Sequence, residues 1–237
     1  LPYAEERADQ ARVERWTAHL DSLKHALETA GWDGTYYRRG YFDDGGPLGA
    51  NGNLECSIDS LGQSWSVLSG EGDPARQQQA MNAVMEKLVD EKDGLIRLFT
   101  PAFATTPKDP GYIKAYPPGV RENGGQYTHA AIWVVLALAA LKRGDDAWKA
   151  FKLLNPVNHA LDQASADLYR VEPYVVAADV YGVGDLTGRG GWTWYTGSAG
   201  WLYRAAVEGI LGIRREGNRL FVRPVLPAEW DGFSAVL

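Results

Sequence analysis

Apolar residues recur at helical spacing in several separated blocks along this chain. Over residues 5–30, Val13, Trp16, Leu20, Leu23 and Leu27 stand three or four positions apart with charges between them, which predicts an amphipathic helix. Gly31 follows where a C-cap glycine would stand. His19 and His25 fall among Lys and Asp on this stretch and are expected at the surface. Residues 57–69 predict a second helix, with Ile58, Leu61, Trp65 and Leu68 on one face. Asp73-Pro74 supplies a cap and first turn for a third, whose core stripe is Ala80, Met81, Val84, Met85 and Leu88. Further helices are predicted over 126–142, 145–154 (capped by Asp145), 173–180 and 196–211. The first of these differs in kind. From Tyr127 to Leu141 no residue carries a formal charge, which predicts a helix buried on all sides.

Long polar stretches separate the blocks. Residues 31–56 have no helical period and are rich in Gly, Asp and aromatics; 35–42 is the best strand candidate there. A loop of that length in a compact domain is usually functional or packed as a lid. Asp43-Asp44, ahead of two glycines, reads as a turn rather than a metal pair. Before the charge-free block come Tyr112, Tyr116, Pro117 and Pro118, and each proline pushes its predecessor toward extended backbone. Then follows Arg121-Glu122-Asn123-Gly124-Gly125, a dense polar cluster whose glycines permit tight turns. A polar loop feeding a helix too apolar to face water is expected to set Glu122 and His129 at the mouth of a buried pocket. After Gly212 the period changes, and Gly217-Asn218 between Ile213-Arg214 and Leu220-Phe221-Val222 predicts a hairpin. Amphipathic helices alternating with apolar ones suit inner helices walled by outer ones, as in a helical toroid. A helical solenoid would show the same alternation, and no short repeat is evident.

At 237 residues the chain suffices for one large domain, alone or with a small appendage. A hydrophobic fraction of 45% and a charged fraction of 23% are those of an ordinary globular protein. The net charge of −6, without a Lys/Arg run, gives nucleic-acid binding little support. Cys56 is the one cysteine, so no internal disulfide forms and a reducing compartment is favoured. The start is charged and amphipathic, unlike a signal peptide, and the longest apolar run, 130–141, is too short to span a bilayer. Nine tryptophans and twelve tyrosines suit sugar stacking, but aromatics also fill cores, so their number alone decides nothing.

The segment PPGVRENGGQYTHAAIW resembles the matching part of glycoside hydrolase family 94, the inverting β-glucoside phosphorylases. Further stretches agree in order: WDGTYYRRGYFDDGGPLG, ECSIDSLGQSW, LFTPAF, LLNPVNHA, VEPYVVAADVY, GRGGWTWYTGSAGW and EGILGIRREGNRL. Within the family the chain is most similar to the phosphorylase domain of cyclic β-1,2-glucan synthases and to 1,2-β-oligoglucan phosphorylases. The resemblance implies a mainly α fold, with part of an (α/α)6 barrel over 1–211 and the start of a β-rich segment over 212–237. It also implies a C-terminal fragment of a longer protein, inactive on its own. The implied reaction is reversible, inverting phosphorolysis of β-1,2-glucan to α-glucose 1-phosphate, with inorganic phosphate as co-substrate and no metal or organic cofactor. The location implied is cytoplasmic, or the cytoplasmic domain of an inner-membrane glucan synthase, without direct membrane insertion of this segment; a homodimer stays open. A phosphorylase on another β-glucoside, such as cellobiose, and a non-catalytic glucan-binding module are the alternatives.

An inverting glycosidase needs an acid for the leaving oxygen and a base to activate water. A phosphorylase dispenses with the base, because phosphate is already an anionic nucleophile, and needs an anion site instead. His129, at the start of the apolar helix, suits phosphate on chemical grounds. The resemblance agrees, since the family's phosphate-contacting histidine stands seven residues after the Glu of its ENGG motif, as His129 follows Glu122. Thr196-Gly197 offers a hydroxyl and a bare backbone at a helix start, with simple capping as the bland alternative; it matches the family's phosphate-binding Thr-Gly pair. Glu122 resembles the family's sugar-binding glutamate, with Arg121 or Asn123 orienting the loop. Glu172 is a candidate partner for substrate. Close by, cellobiose-type relatives carry a glutamine where this chain has Ala177-Ala178-Asp179, which agrees with the β-1,2 branch. Trp192 and Trp194 either stack on sugar or pack in the core. The family's catalytic aspartate lies in a Trp-Asn-Asp-like segment that this sequence lacks, so no catalytic residue is assigned.

Overall fold

A computed structural model describes residues 1–194 and 196–236. The helix expected over 5–30 is two: α1 (Pro2–Glu6) and α2 (Gln10–Ala26). Ala8, at φ +53, breaks the run, and Asp9 restarts it by accepting a hydrogen bond from the Arg12 N–H at 3.1 Å. A π-helical turn, Leu27–Gly31, closes α2, so Gly31 lies inside the turn and not in a left-handed cap. The apolar stripe of α2 does not reach the core. None of its residues is buried, and Trp16 is 40% exposed. His19 and His25 are exposed, as expected.

Residues 31–56 are the expected long loop. The strand predicted over 35–42 shrinks to β1 (Gly40–Tyr41), paired with β2 (Pro47–Leu48). Side-chain bonds replace the rest of the ladder: Tyr37 N–H donates to Gln63 at 2.8 Å, and Gln63 donates back to the Tyr37 carbonyl at 2.7 Å. Asp44 accepts from Gly46 N–H at 2.9 Å, which makes this stretch a turn.

A two-residue strand, β3 (Ile58–Asp59), leads into α3 (Ser60–Leu68), where Asp59 caps by accepting from Leu61 N–H at 2.7 Å. The most buried residues of α3 are Ser60, Gln63, Ser64 and Val67, and the predicted face lies beside them. Ile58 is buried, Leu61 and Leu68 are partly buried against the core, and Trp65, 43% exposed, meets Trp133 edge to face at 5.4 Å. Small side chains on the inner face let α3 lie close to its apolar neighbour. Next comes α4 (Pro74–Lys87), with Asp73 as its cap and Ala80, Met81 and Val84 buried, as the sequence predicts. Short strands follow: β4 (Val89–Asp90) pairs with β5 (Leu95–Ile96), and β6 (Phe99–Thr100) pairs back to β3.

The strand β7 (Gln126–Tyr127) precedes α5 (Thr128–Ala140), the charge-free block. Nine residues of α5 are buried, because α3 flanks it on one side and α6 (Gly144–Leu154) and α8 (Thr196–Arg204) on others. Asp145 does not cap α6; its carboxylate accepts from Ala228 N–H at 2.6 Å and ties the C-terminal segment to that helix. The short α7 (Gln163–Tyr169), capped by Asp162, was not predicted; seven residues give too little period to read.

The helix expected over 173–180 is absent. Instead β8 (Asp179–Val180) pairs antiparallel with β7. Its backbone groups bond outward: Ala178 N–H donates to the Trp192 carbonyl at 2.7 Å, and the Ala178 carbonyl accepts from Thr128 N–H at 2.9 Å. After α8 a π-turn, Ala205–Ile210, completes the last predicted helix. The hairpin is β9 (Ile213–Glu216) and β10 (Arg219–Val222), turning at Gly217-Asn218 as expected. The fold is mainly α, and among the described residues no helix is long and apolar enough to cross a membrane.

Candidate functional site

The loop before α5 is braced from within by Asn123, which is wholly buried. Its side-chain oxygen accepts from Phe103 N–H at 2.8 Å, and its amide donates to the carbonyls of Phe103 (2.9 Å) and Tyr116 (2.7 Å). Gly119 N–H donates to the Asn123 carbonyl at 2.7 Å, and Gly182 N–H to the Gly119 carbonyl at 2.8 Å, so the loop is also tied to the segment after β8. The two glycines are steric necessities. Gly124 has φ +78, and a Cβ on Gly125 would stand 2.8 Å from the Gly119 carbonyl oxygen.

On this brace the Arg121 backbone is left-handed, at φ +48. Its guanidinium lies between the rings of Tyr116 and Trp192, at 5.5 and 5.8 Å, and pairs with Glu122 at 3.4 Å. Both charged side chains are mostly buried, so the pair is better shielded from solvent than a surface one.

β7 and β8 bring the next two groups together, because Tyr127 and Asp179 are cross-strand partners. Tyr127 senses the charges of Glu122, Arg121 and Asp179, and burial pushes its hydroxyl pKa up. Its ring stacks on His129 at 5.4 Å. From the other side α8 presents its start: a Cβ on Gly197 would stand 2.6 Å from His129 Nε2, so only glycine lets this backbone approach the ring. One turn further, Trp133 and Trp201 meet edge to face at 5.8 Å and fix the approach of α5 to α8. Two helix N-termini thus converge on one imidazole, an arrangement suited to an anion. Among the described residues His129 Nδ1 is buried without a hydrogen-bond partner, and burial lowers the ring's pKa. Thr196 opens α8, but its side chain lies outside the described residues.

Glu172 and Trp194 meet at the margin, where the indole N–H donates to the carboxylate at 3.4 Å. Trp192 and Trp194 are 58% and 68% exposed, which rules out the core-packing alternative for both. Asp179 is the group that sequence reasoning passed over. It is buried, and Oδ1 accepts from Trp192 N–H at 3.0 Å. Its signal was present as a lone carboxylate in the apolar run VVAADVY. No cluster of three metal-ligating side chains occurs among the described residues.

The mainly α fold thus sets an anion-suited pair of helix starts beside an aromatic, carboxylate-lined loop. Residues 1–212 match the family model of the glycosyl hydrolase 94 superfamily, catalytic domain, and the chain belongs to that family. Over 235 residues it is 68% identical to cyclic beta-(1,2)-glucan synthase NdvB of Rhizobium meliloti (strain 1021), which covers 99% of this chain and 8% of that protein. It is 33% identical over 238 residues to N,N'-diacetylchitobiose phosphorylase of Vibrio furnissii, covering 99% of this chain and 29% of the relative. With 1,2-beta-oligoglucan phosphorylase of Listeria innocua it shares 32% identity over 129 residues, 48% of this chain and 12% of that protein. The chain therefore spans less than a third of each of these relatives.

Proposed function

We propose that this chain carries the phosphate- and sugar-binding wall of a carbohydrate phosphorylase that cleaves β-1,2-glucan reversibly and with inversion. The juxtaposition of Gly197 and His129 is the observation that carries this reading. Phosphate lies against His129, Gly197 and Thr196, with backbone N–H groups of both helix starts as donors. Glu122, Arg121, Glu172 and Trp194 bind the glucan. A phosphate oxygen forms a bond to the anomeric carbon as the bond to the leaving oxygen breaks on the opposite face. The leaving oxygen takes a proton, and the products are α-glucose 1-phosphate and a shortened glucan. That proton comes, in this proposal, from an acid outside this chain. The high identity to a β-1,2-glucan synthase favours that linkage over the others found among the relatives. The same proposal assigns 1–211 to part of an (α/α)6 barrel and 212–237 to the start of a β-rich segment. It puts the protein in the cytoplasm, whether free or in a membrane-associated synthase, with no metal or organic cofactor.

The test is phosphate-dependent release of glucose 1-phosphate from β-1,2-glucan, by this chain and by this chain joined to the remainder of a family catalytic domain. Activity is expected only in the longer protein. Activity in the chain alone would overturn the external acid and return the search to Glu122, Glu172 and Asp179. Glucan binding without turnover in either would establish a binding module instead.

A second expectation concerns protons. Burial holds the His129 pKa below its ordinary value of 6.5, so the ring is mostly neutral at pH 7. A phosphate dianion draws a proton onto the ring, so binding takes up a fraction of a proton and weakens as pH rises above 7. Titration calorimetry in two buffers of different ionisation enthalpy should register that uptake in wild type and lose it in His129→Gln. For folding the sign is opposite. A lowered histidine pKa contributes stability above about pH 6.5 that is lost as pH falls toward the folded value.

A further inference from the structure

Asp179 is 1% exposed at the start of β8; Oδ1 accepts from the Trp192 N–H at 3.0 Å, and Oδ2 is buried with no close hydrogen-bond partner among the described residues. The neighbouring backbone is shaped to admit the carboxylate. A Cβ on Gly191 would stand 2.5 Å from both oxygens. Above it lies the stack of Arg121 on Trp192, and the Arg121 cation and backbone N–H both act on the Asp179 carboxylate. An asparagine would hold the Trp192 N–H as well and without the cost of burying a charge. A carboxyl group in place of that amide points to a use for the charge it can carry.

We propose that Asp179 is a positioning residue for sugar recognition: its carboxylate fixes the Arg121 turn and the Trp192 backbone relative to each other, so that Arg121, Glu122 and Trp192 keep one geometry around the glucan. The identity of the ligand rests on the phosphorylase reading; the positioning does not. Burial also raises the Asp179 pKa, and the sign separates the two kinds of role. A carboxyl whose folded pKa lies above its unfolded value makes the fold less stable as pH rises past both. Removing the charge should therefore leave stability unchanged or higher while harming function, a trade that a purely structural residue would not show.

The experiment uses the whole chain as wild type, Asp179→Asn and Asp179→Ala, with three measurements. These are the pH dependence of the Trp192 and Arg121 backbone amide shifts by NMR, the melting temperature, and affinities for a β-1,2-linked glucooligosaccharide and for inorganic phosphate. In wild type the two amides should follow one shared titration above the ordinary Asp range, and Asp179→Asn should abolish it. That variant should melt no lower than wild type at pH 7. It should bind the oligosaccharide about tenfold or more weakly, with phosphate affinity kept within about twofold. Amides that do not share a titration, or an Asp179→Asn protein that binds sugar as wild type does, would overturn the proposal. So would an Asp179→Asn protein that melts well below wild type and loses phosphate and sugar together, which marks a structural role alone. If wild type binds no oligosaccharide, the phosphorylase reading fails by itself, and the shared titration still decides whether Asp179 positions Arg121 and Trp192.

Discussion

Gly197→Ala should weaken phosphate binding by about 30-fold or more while leaving the fold intact. The new methyl would stand 2.6 Å from His129 Nε2, inside any tolerable contact. What yields is the imidazole, because the obstructed atom is the end of a side chain and the rest of α8 is unaltered. Gly197 does not adopt a left-handed φ, so alanine fits its backbone. Within a helix alanine is worth up to about 1 kcal/mol more than glycine. The expected melting temperature is thus equal to wild type or slightly higher. Phosphate, in contrast, loses the ring and the close backbone approach together. Each charge-assisted hydrogen bond is worth roughly 1.5–3 kcal/mol, so an affinity loss of about 30-fold or more is expected. Calorimetric titration with inorganic phosphate beside a thermal melt would check both halves. Normal phosphate affinity in Gly197→Ala would sink the proposed anion site. His129→Gln removes the same contact by a different route, and agreement of the two variants would tie the effect to the ring.

How much of this was legible in advance depended on whether the signal was local. Asp73-Pro74 announced α4 because capping and first-turn chemistry are written in adjacent residues. The charge-free block announced α5 because no water-facing helix could lack charge over its whole length. Glu122, His129 and Gly197 were picked out by motif, and the structure sets Gly197 close against the His129 ring. The failures were tertiary. On α3 the predicted apolar face does reach the core, through Trp65 on Trp133 and the partly buried Leu61 and Leu68, but the deepest burial goes to the polar Ser60, Gln63 and Ser64, which hydrophobicity does not announce. Residues 173–180 were expected to be helical, but the backbone groups of Ala178 are taken by Thr128 and Trp192, partners distant in sequence. Asp179 was missed for the same reason. Its significance lies in Gly191, Trp192 and Arg121, none of which is adjacent to it in the chain.

Asn123→Ala should produce the largest loss of stability of any substitution in the site, and sugar binding should fail with it. The wild-type amide satisfies three backbone groups, two of them in buried bonds (Phe103 N–H and the Phe103 carbonyl) and one in a part-buried bond (the Tyr116 carbonyl). Alanine leaves all three without that partner in a place where Asn123 itself is wholly buried. Orphaning one buried polar group costs about 1–3 kcal/mol, and partial relaxation of the loop keeps the sum near 3–5 kcal/mol. For a chain of this size, that is a fall of roughly 10 °C in melting temperature. Aspartate is no rescue. It can accept from Phe103 N–H, but it cannot donate to the two carbonyls and buries a charge beside them. Arg121 and Glu122 stand directly before this brace, so their geometry should loosen below the melting point. Hydrogen exchange at the Phe103 amide should accelerate in Asn123→Ala under conditions where the α5 amides stay protected. That order of events would locate the weakness in the loop rather than in the core. A variant within about 1 kcal/mol of wild type, with a slow Phe103 amide, would show that the loop is held by the Gly119 and Gly182 backbone ties instead.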